Sequence, residues 1–336
     1  MPEIHTSAQT VFTSNPGETL LDAASQAGVQ LPYSCKSGRC GTCKCRVITG
    51  ETRVLQAEAG LTPAEQEAGW ILSCVRTAIS DLVLDVQDFG GIEFPAPRTL
   101  PCKINTIEHL ASDVIRILLR LPPTADFKYL PGQSLDLIAP GGIRRSYSIA
   151  NAFMQAGALE MHVRAVQNGL MSRFLLDTAT SGTLMHLHGP LGTFALRDPA
   201  GKDLIFLATG TGIAPVKALL ESLPLLKASQ APASVTLLWG GRYPEDLYLD
   251  FSKMPVIDRY IPVLSRADGT WQGACGHVQD VLLRSKPQLG NATVYACGSY
   301  AMIRDAREAL LAAGLPMAQF HADAFVCSAP IRYEDH

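Results

Sequence analysis

No apolar run in this 336-residue sequence approaches the roughly 20 residues that a membrane-spanning helix needs. The longest candidate is bracketed by Asp203 and Lys217. An apolar leader is missing as well: Met1 to Gln9 is polar, which does not fit a signal peptide. Neither insertion into nor export across a membrane is expected, and the expected location is the cytoplasm. Neither sign of charge dominates. Lys and Arg number 28 against 31 Asp and Glu, and no basic stripe stands out, so nucleic acid is not an expected partner. There is no internal repeat and no low-complexity tract. With 47% hydrophobic and 18% charged residues the chain can build globular cores, and its length leaves room for two or three domains.

What the sequence does have is a crowd of cysteines. Four of the nine fall between Cys35 and Cys45. In a reducing compartment such crowding points to metal or catalysis rather than disulfides. Cys35, Cys40 and Cys43 are spaced C-x4-C-x2-C and Cys74 follows far downstream, which is the spacing of plant-type 2Fe–2S proteins. Gly38 and Gly41 let the loop curl so that its N–H groups reach sulfur. A structural zinc site is the alternative, but zinc knuckles pair one C-x2-C with another or with histidines, and Cys74 has no such companion. Cys45 reads as a packed small residue, and Cys102, Cys275 and Cys327 carry no spacing signal. Tyr33-Ser-Cys-Lys-Ser-Gly-Arg-Cys-Gly-Thr-Cys resembles the plant-type ferredoxin domain. The resemblance implies a β-grasp fold with Cys35, Cys40, Cys43 and Cys74 as ligands.

Texture divides the chain into residues 1–90, a Gly/Pro-rich linker over 91–100, and segments 101–199 and 200–336. The first contains one expected helix, Glu18–Ala27, ending at Gly28. The third holds short strands, among them Val114–Leu121, Ser134–Ile138 and Leu159–Arg164, the pattern of a small antiparallel barrel or sandwich. In the last, apolar runs at Leu204–Ala208, Val235–Trp239, Ile261–Leu264 and Thr293–Cys297 alternate with helical stretches. That predicts a parallel α/β sheet.

Arg145, Tyr147 and Ser148 match the Arg-x-Tyr-Ser motif of the ferredoxin–NADP reductase superfamily. Alternation puts Arg145 and Tyr147 on one face of a strand. The resemblance implies a guanidinium on the FAD pyrophosphate, an aromatic ring on the isoalloxazine and a hydroxyl at its N5 edge. Gly169-Leu-Met171-Ser172 resembles the family's phosphate-facing turn, and Gly189-Pro-Leu-Gly192 the loop that closes its barrel. His186 and His188 alternate on one strand with no third ligand nearby and read as polar residues of an edge strand.

Gly210-Thr211-Gly212-Ile-Ala-Pro215 follows a buried strand and opens a helix, where backbone N–H groups can meet a pyrophosphate. It resembles the same superfamily's nicotinamide motif, with Thr209 where many relatives have glycine. Cys297-Gly298 matches the Cys-Gly pair beside the nicotinamide, and Ser299 stands where it could cap the next helix. Trp239-Gly-Gly-Arg242 with Asp246-Leu-Tyr248 resembles the NADH-using branch, whereas Ser265-Arg266 could read the 2′-phosphate of NADPH. NADH is the expected donor. Phe325 stands either over the flavin or in the core. By this resemblance Ser148, Cys297 and Phe325 are the candidate catalytic residues.

The order of segments resembles the reductases of multicomponent oxygenases and, most closely, CDP-6-deoxy-Δ3,4-glucoseen reductases. It implies electron flow from NADH to FAD to a 2Fe–2S cluster and on to a separate terminal iron enzyme, an oxygenase or a deoxysugar dehydratase, with the reductase monomeric on its own. Two alternatives remain: a diaphorase serving a small-molecule acceptor, and a redox sensor. The cations Lys36 and Arg39 beside the cluster read as a solvated face or a docking site.

Overall fold

The computed structural model describes residues 1–86, 89, 91–154 and 157–326. Cys327 lies outside them. The chain divides into two units, Met1–Asp88 with Ser299–Ala301 and Asp323–His336, and Phe89–Gly298 with Met302–Ala322. No helix among the described residues is long and apolar enough to cross a membrane.

The first unit is built on β1 (Glu3–Thr6), β2 (Val11–Thr13), α1 (Leu20–Gln26), β3 (Lys44–Thr49), β4 (Thr52–Val54), α2 (Pro63–Glu67), β5 (Trp70–Leu72), β6 (Arg76–Ala78) and β7 (Leu82–Asp85). Its sheet runs β2-β1-β7-β3-β5, with β1 and β7 parallel, and β4 pairs separately with β6. Strict alternation in β1 and β7 turns Ile4, Leu82 and Leu84 inward, where they meet Leu20, Leu21 and Ala24 of α1. Each such fully buried side chain contributes roughly 1.5–3 kcal/mol. A mixed sheet with one helix laid across it is the β-grasp arrangement. Helix α1 starts two residues later than expected because the Thr19 hydroxyl accepts from Asp22 N–H and so caps it. Its end is closed by Gly28 N–H to Ser25 O and Val29 N–H to Ala24 O.

In the second unit β8 (Arg98–Ala111), β9 (Val114–Arg120), β10 (Ser134–Ile138), β11 (Arg144–Ser148), β12 (Ala158–Arg164) and β13 (Leu184–Leu191) form an antiparallel sheet, β11-β10-β13-β8-β9-β12, with α3 (Leu170–Arg173) between β12 and β13. The sheet curls until Ala150 N–H donates to Glu160 O at 2.8 Å, which brings its two edges together. Two expectations are corrected here. Arg98–Leu100 is not linker, since it pairs with Gly189, His188 and Leu187 of β13. Before it, Phe89 lies edge-on to Phe94 at 5.1 Å, under the Arg197 guanidinium. His186 and His188 are on no edge, because β13 runs between β10 and β8; they face outward, and His188 Nδ1 bonds Thr99 Oγ1.

The remaining elements are β14 (Asp203–Thr209), α4 (Ile213–Ser222), β15 (Ser234–Gly241), β16 (Arg259–Leu264), β17 (Ala274–Cys275), α5 (Val278–Arg284), β18 (Ala292–Ser299), α6 (Tyr300–Ala312) and β19 (Phe320–Phe325). Their sheet is ordered β17-β16-β15-β14-β18-β19 and is parallel from β17 to β18. Phe206, Trp239 and Tyr295, all fully buried, anchor it. Chain order leaves β14 in opposite directions on its two sides. In an open α/β sheet such a switch point, at the C-terminal strand ends, is where ligands bind.

Candidate functional site

The loop from Cys35 to Cys43 has no regular structure of its own and takes its shape from its neighbours. Gly38, at φ 71°, is pressed so closely on the next segment that a Cβ would lie 2.4 Å from Ala57 O. Gly60 N–H donates back to Gly38 O at 2.8 Å. The thiols come as two pairs. Cys43 Sγ and Cys74 Sγ are 3.2 Å apart, and Cys35 is hydrogen-bonded to Cys40. In each pair one sulfur accepts. The Cys40 thiol first, then Ser37 and Arg39 N–H, hold Cys35 down to about 4 against the cost of burial. Cys74 is lowered chiefly by the bond from Cys43, with Gly38 N–H also donating to it. The donor thiols of Cys40 and Cys43 are pushed up, first by those same bonds and then by burial.

Among the described residues no three His, Cys, Asp or Glu side chains are grouped to hold a single ion. The buried Ser73 hydroxyl beside Cys74 has no partner among them. An all-sulfur set arranged as two pairs, with N–H donors on the sulfurs, fits a two-iron cluster better than one zinc ion. Cys45 is a packed residue of β3, its thiol pushed up to about 12 by burial. In the same unit Ser34 Oγ donates to Asp323 Oδ1 at 2.6 Å, and burial raises the Asp323 carboxyl. Phe325, two residues on, is 38% exposed, so it is not a core residue.

The flavin motif lies on the barrel's edge strand β11. Arg145 pairs with Leu137 and Tyr147 with Leu135, so both side chains take the face of those core leucines. Tyr147 packs on that core, and burial pushes its phenol up. Arg145 is exposed, its Nη1 held by Arg144 O at 2.7 Å, while Arg144 turns the other way to Asp136. Ser148 is buried. The Gly169 turn follows the opposite edge strand, β12. Its Ser172 hydroxyl is engaged within the turn, by Val166 N–H and by the carbonyls of Val166 and Gly169. Met171 is a barrel core residue, so any part it plays toward a phosphate is its backbone's. An exposed guanidinium next to a packed ring, on a strand whose edge is open, fits a flavin nucleotide.

The nicotinamide residues converge at the switch point. Gly210–Gly212 is a tight turn between β14 and α4, and Pro215 lies in the helix's first turn. A Cβ on Gly212 would lie 2.2 Å from Cys297 O, so the turn and the Cys297–Gly298 peptide touch. Thr209 fits into the gap between two strand ends: its Oγ1 is 2.1 Å from where a Gly298 Cβ would be, and its Cγ2 3.1 Å from that of Gly240. Cys297 is fully buried, and α6 starts directly after Ser299.

Two groups, Arg164 and the Lys217–Glu221 pair, escaped the sequence reading. Arg164, the last residue of β12, reaches Gly210: its Cζ and Nη1 lie 3.9 Å from the position of a Gly210 Cβ. Nη1 binds Asp246 Oδ1 at 2.8 Å and Nε lies 3.5 Å from Asp113, but the buried Nη2 has no partner among the described residues. A cation with an uncommitted N–H beside a glycine turn suits a pyrophosphate. Asp246, buried after β15, also accepts from Arg242 N–H and Nε. These partners outweigh the desolvation that would raise its carboxyl and hold it below the usual range. Helix α4 is tied to the barrel by Lys217, whose Nζ reaches Ala150 O at 3.1 Å and Glu160 Oε2 at 3.2 Å, and by Glu221, which accepts Ala152 N–H. Glu160 in turn bonds His162, and His162 bonds the Tyr248 hydroxyl. Arg164 with Asp246, Lys217 with Ala150 and Glu160, and Glu221 with Ala152 are all far apart in sequence, so no local pattern announces them.

Three family models match the chain: a 2Fe-2S iron-sulfur cluster binding domain over residues 4–78, an oxidoreductase FAD-binding domain over 101–196 and an oxidoreductase NAD-binding domain over 206–308. Over 323 residues the chain is 42% identical to the CDP-6-deoxy-L-threo-D-glycero-4-hexulose-3-dehydrase reductase of Yersinia pestis, covering 95% of this chain and 96% of that protein. It is 34% identical to reductase component 2 of the terephthalate 1,2-dioxygenase of Comamonas sp, covering 94% of each. The crystal structure of the Amycolatopsis cytochrome P450 reductase GcoB matches with a TM-score of 0.73 at 29% identity, covering 98% of this chain and 100% of that one.

Proposed function

The chain belongs to the family of ferredoxin-fused, FAD- and NAD-binding electron-transfer reductases, and on that premise we propose that it takes electrons from NADH and passes them singly to the iron centre of a separate enzyme. One observation carries this reading: a two-pair thiol site and a dinucleotide turn at a sheet switch point stand in one chain, the first before and the second after a barrel with a flavin motif in sequence order. When bound, a flavin takes up the two electrons of a hydride and can release them one at a time, and a two-iron cluster carries one.

The residues then have these tasks. Arg145 grips the FAD pyrophosphate, Tyr147 supports the ring system, and Ser148 offers its hydroxyl at the N5 edge. The Gly169–Ser172 turn presents backbone N–H groups to phosphate. Gly210–Gly212 admits the NADH pyrophosphate to the N-terminus of α4, and Arg164 adds the cation. Cys297 and Gly298 border the nicotinamide, and Phe325 covers the flavin. Cys35 with Cys40, and Cys43 with Cys74, hold one iron each. NADH is preferred over NADPH because Arg242, at the end of β15, is already bound by Asp246; Arg266 remains exposed and is the residue that would argue otherwise. The favoured acceptor is a dehydrase of a nucleotide-linked deoxysugar, since identity to that reductase is 42% against 34% to the dioxygenase component.

Cys74→Ser tests the order of electron flow. NADH-driven reduction of ferricyanide, which is small enough to meet the flavin, should persist. Reduction of cytochrome c and of a purified deoxysugar dehydrase should fall to background. A variant that still reduced the dehydrase at the native rate would remove the cluster from the path. In the same assays kcat/KM should be higher for NADH, and a preference for NADPH that vanishes in Arg266→Ala would reverse the coenzyme assignment.

A further inference from the structure

Among the described residues of the first unit, the ion pair with the most buried carboxylate, Glu58 with Arg76, encloses the turn that bears Cys74. Glu58 is 3% and Arg76 19% exposed at the side chain. Glu58 Oε1 accepts Leu72 N–H at 2.8 Å and Arg76 Nε at 3.0 Å, and Oε2 accepts Arg76 Nη2 at 2.7 Å. The third guanidinium nitrogen, Nη1, donates to Thr52 Oγ1 at 2.9 Å. Leu72 and Arg76 stand two residues before and two after Cys74. Between them runs the short 3-10 turn Ser73–Val75. Glu58 itself belongs to the segment Ala57–Gly60 that lies against Gly38 and Gly41 of the three-cysteine loop.

We propose that the Glu58–Arg76 pair is a positioning clamp that sets Cys74 against the loop carrying Cys35, Cys40 and Cys43. One carboxylate thereby fixes both ends of the Cys74 turn to the segment on which the other three ligands rest. Stability alone is a weak reason to bury such a pair, because desolvating both charges offsets most of their attraction. A guanidinium–carboxylate fork has a fixed shape, so it transmits position. Groups that orient metal ligands typically alter metal affinity when they are removed. The clamp rests on the assignment of the four ligands.

The test uses the full-length holoprotein and three variants: Glu58→Gln, Arg76→Lys, and Glu58→Leu with Arg76→Met. Glu58→Gln should release iron to a chelator about tenfold faster or more, with altered EPR g-values, while NADH–ferricyanide turnover is unchanged. Arg76→Lys keeps the charge but not the fork and should fall between it and the native protein. The apolar double variant restores packing without the bonds to Leu72 and Arg76, and it should also lose iron fast. It decides the matter if Glu58→Gln does not fold. Native iron release and native EPR in either folded variant would overturn the clamp and leave the ligand assignment standing. Native protein without two irons and two sulfides would overturn both.

Discussion

The cluster loop of the first unit and the Gly210–Gly212 turn of the second do the same thing by different means. In the proposed function each brings backbone N–H groups close to a negatively charged group. The nucleotide turn is made by its flanks: β14 is locked between β15 and β18, α4 follows at once, and the close approach of Gly212 to Cys297 O is a contact between two strand ends of one sheet. The cluster loop has a sheet strand on one flank only, β3, which starts directly after Cys43. It rests on Ala57–Gly60, and Cys74, the fourth cysteine of the proposed cluster site, stands on a distant turn whose two ends are bonded by Glu58. A turn framed by a sheet is formed before its ligand binds, whereas a loop held by sulfur and one clamp draws part of its stability from the metal.

Placing a methyl group at the tight glycine of each turn separates the two most sharply. Gly38→Ala must displace Ala57 O and adopt a left-handed backbone, so iron content should collapse while NADH–ferricyanide turnover survives. Gly212→Ala should do the reverse, leaving the EPR signal of the cluster intact and lowering NADH turnover on the order of a hundredfold, because the turn must shift against Cys297 O. Loss of both activities in both variants would mean that the two turns are not independent.

A smaller effect is expected from Arg164→Gln. One charge-assisted contact to the NADH pyrophosphate is removed, so KM for NADH should rise about tenfold. A change in kcat with KM untouched would show that Arg164 serves the barrel and not the dinucleotide.

Smallest, and confined to the second unit, is a pH effect. Burial first, then Arg197 and Arg307, push His321 down to about 3. An unfolded histidine titrates near about 6.5. Between those values the unfolded chain binds a proton that the folded chain refuses. The stability from neutral His321 is therefore complete above about pH 6.5 and declines as pH falls, by up to about 1.4 kcal/mol per pH unit. His162, also lowered by burial, acts in the same direction. The melting temperature of the second unit should drop from pH 7 to pH 5, and His321→Gln should flatten that drop. Equal slopes in the two proteins would show that His321 does not contribute.

The same contrast explains what could be read from the chain beforehand. Ligand spacing in the Cys35–Cys43 loop and the glycine turn before α4 are local signals, since the residues that act together stand together. The alternating strands and buried runs likewise mark β9, β10, β12 and β14 within a residue or two. Helix α2 was missed although Thr62 and Glu65 form a capping box, because only five residues follow the cap before the chain turns again. Arg98–Leu100 looked like linker after two prolines and is strand only because β13 lies beside it. Arg164 with Asp246, Glu58 with Arg76 and Lys217 with Glu160 pair across long stretches of chain, and composition around each residue is ordinary.

The Lys217 and Glu221 ties also bear on how portable the halves of the second unit are. A chimaera that joins this flavin barrel to the nicotinamide half of another reductase has its obvious cut near residue 200, where strand texture gives way to α/β alternation. That cut leaves Ala150, Ala152 and Glu160 in one parent and both α4 side chains in the other. The graft would bury Glu160 opposite whatever the new helix supplies. Functional hybrids should therefore be those that carry Lys217 and Glu221 along with the barrel, or that inherit an equivalent charge pair one helical turn apart.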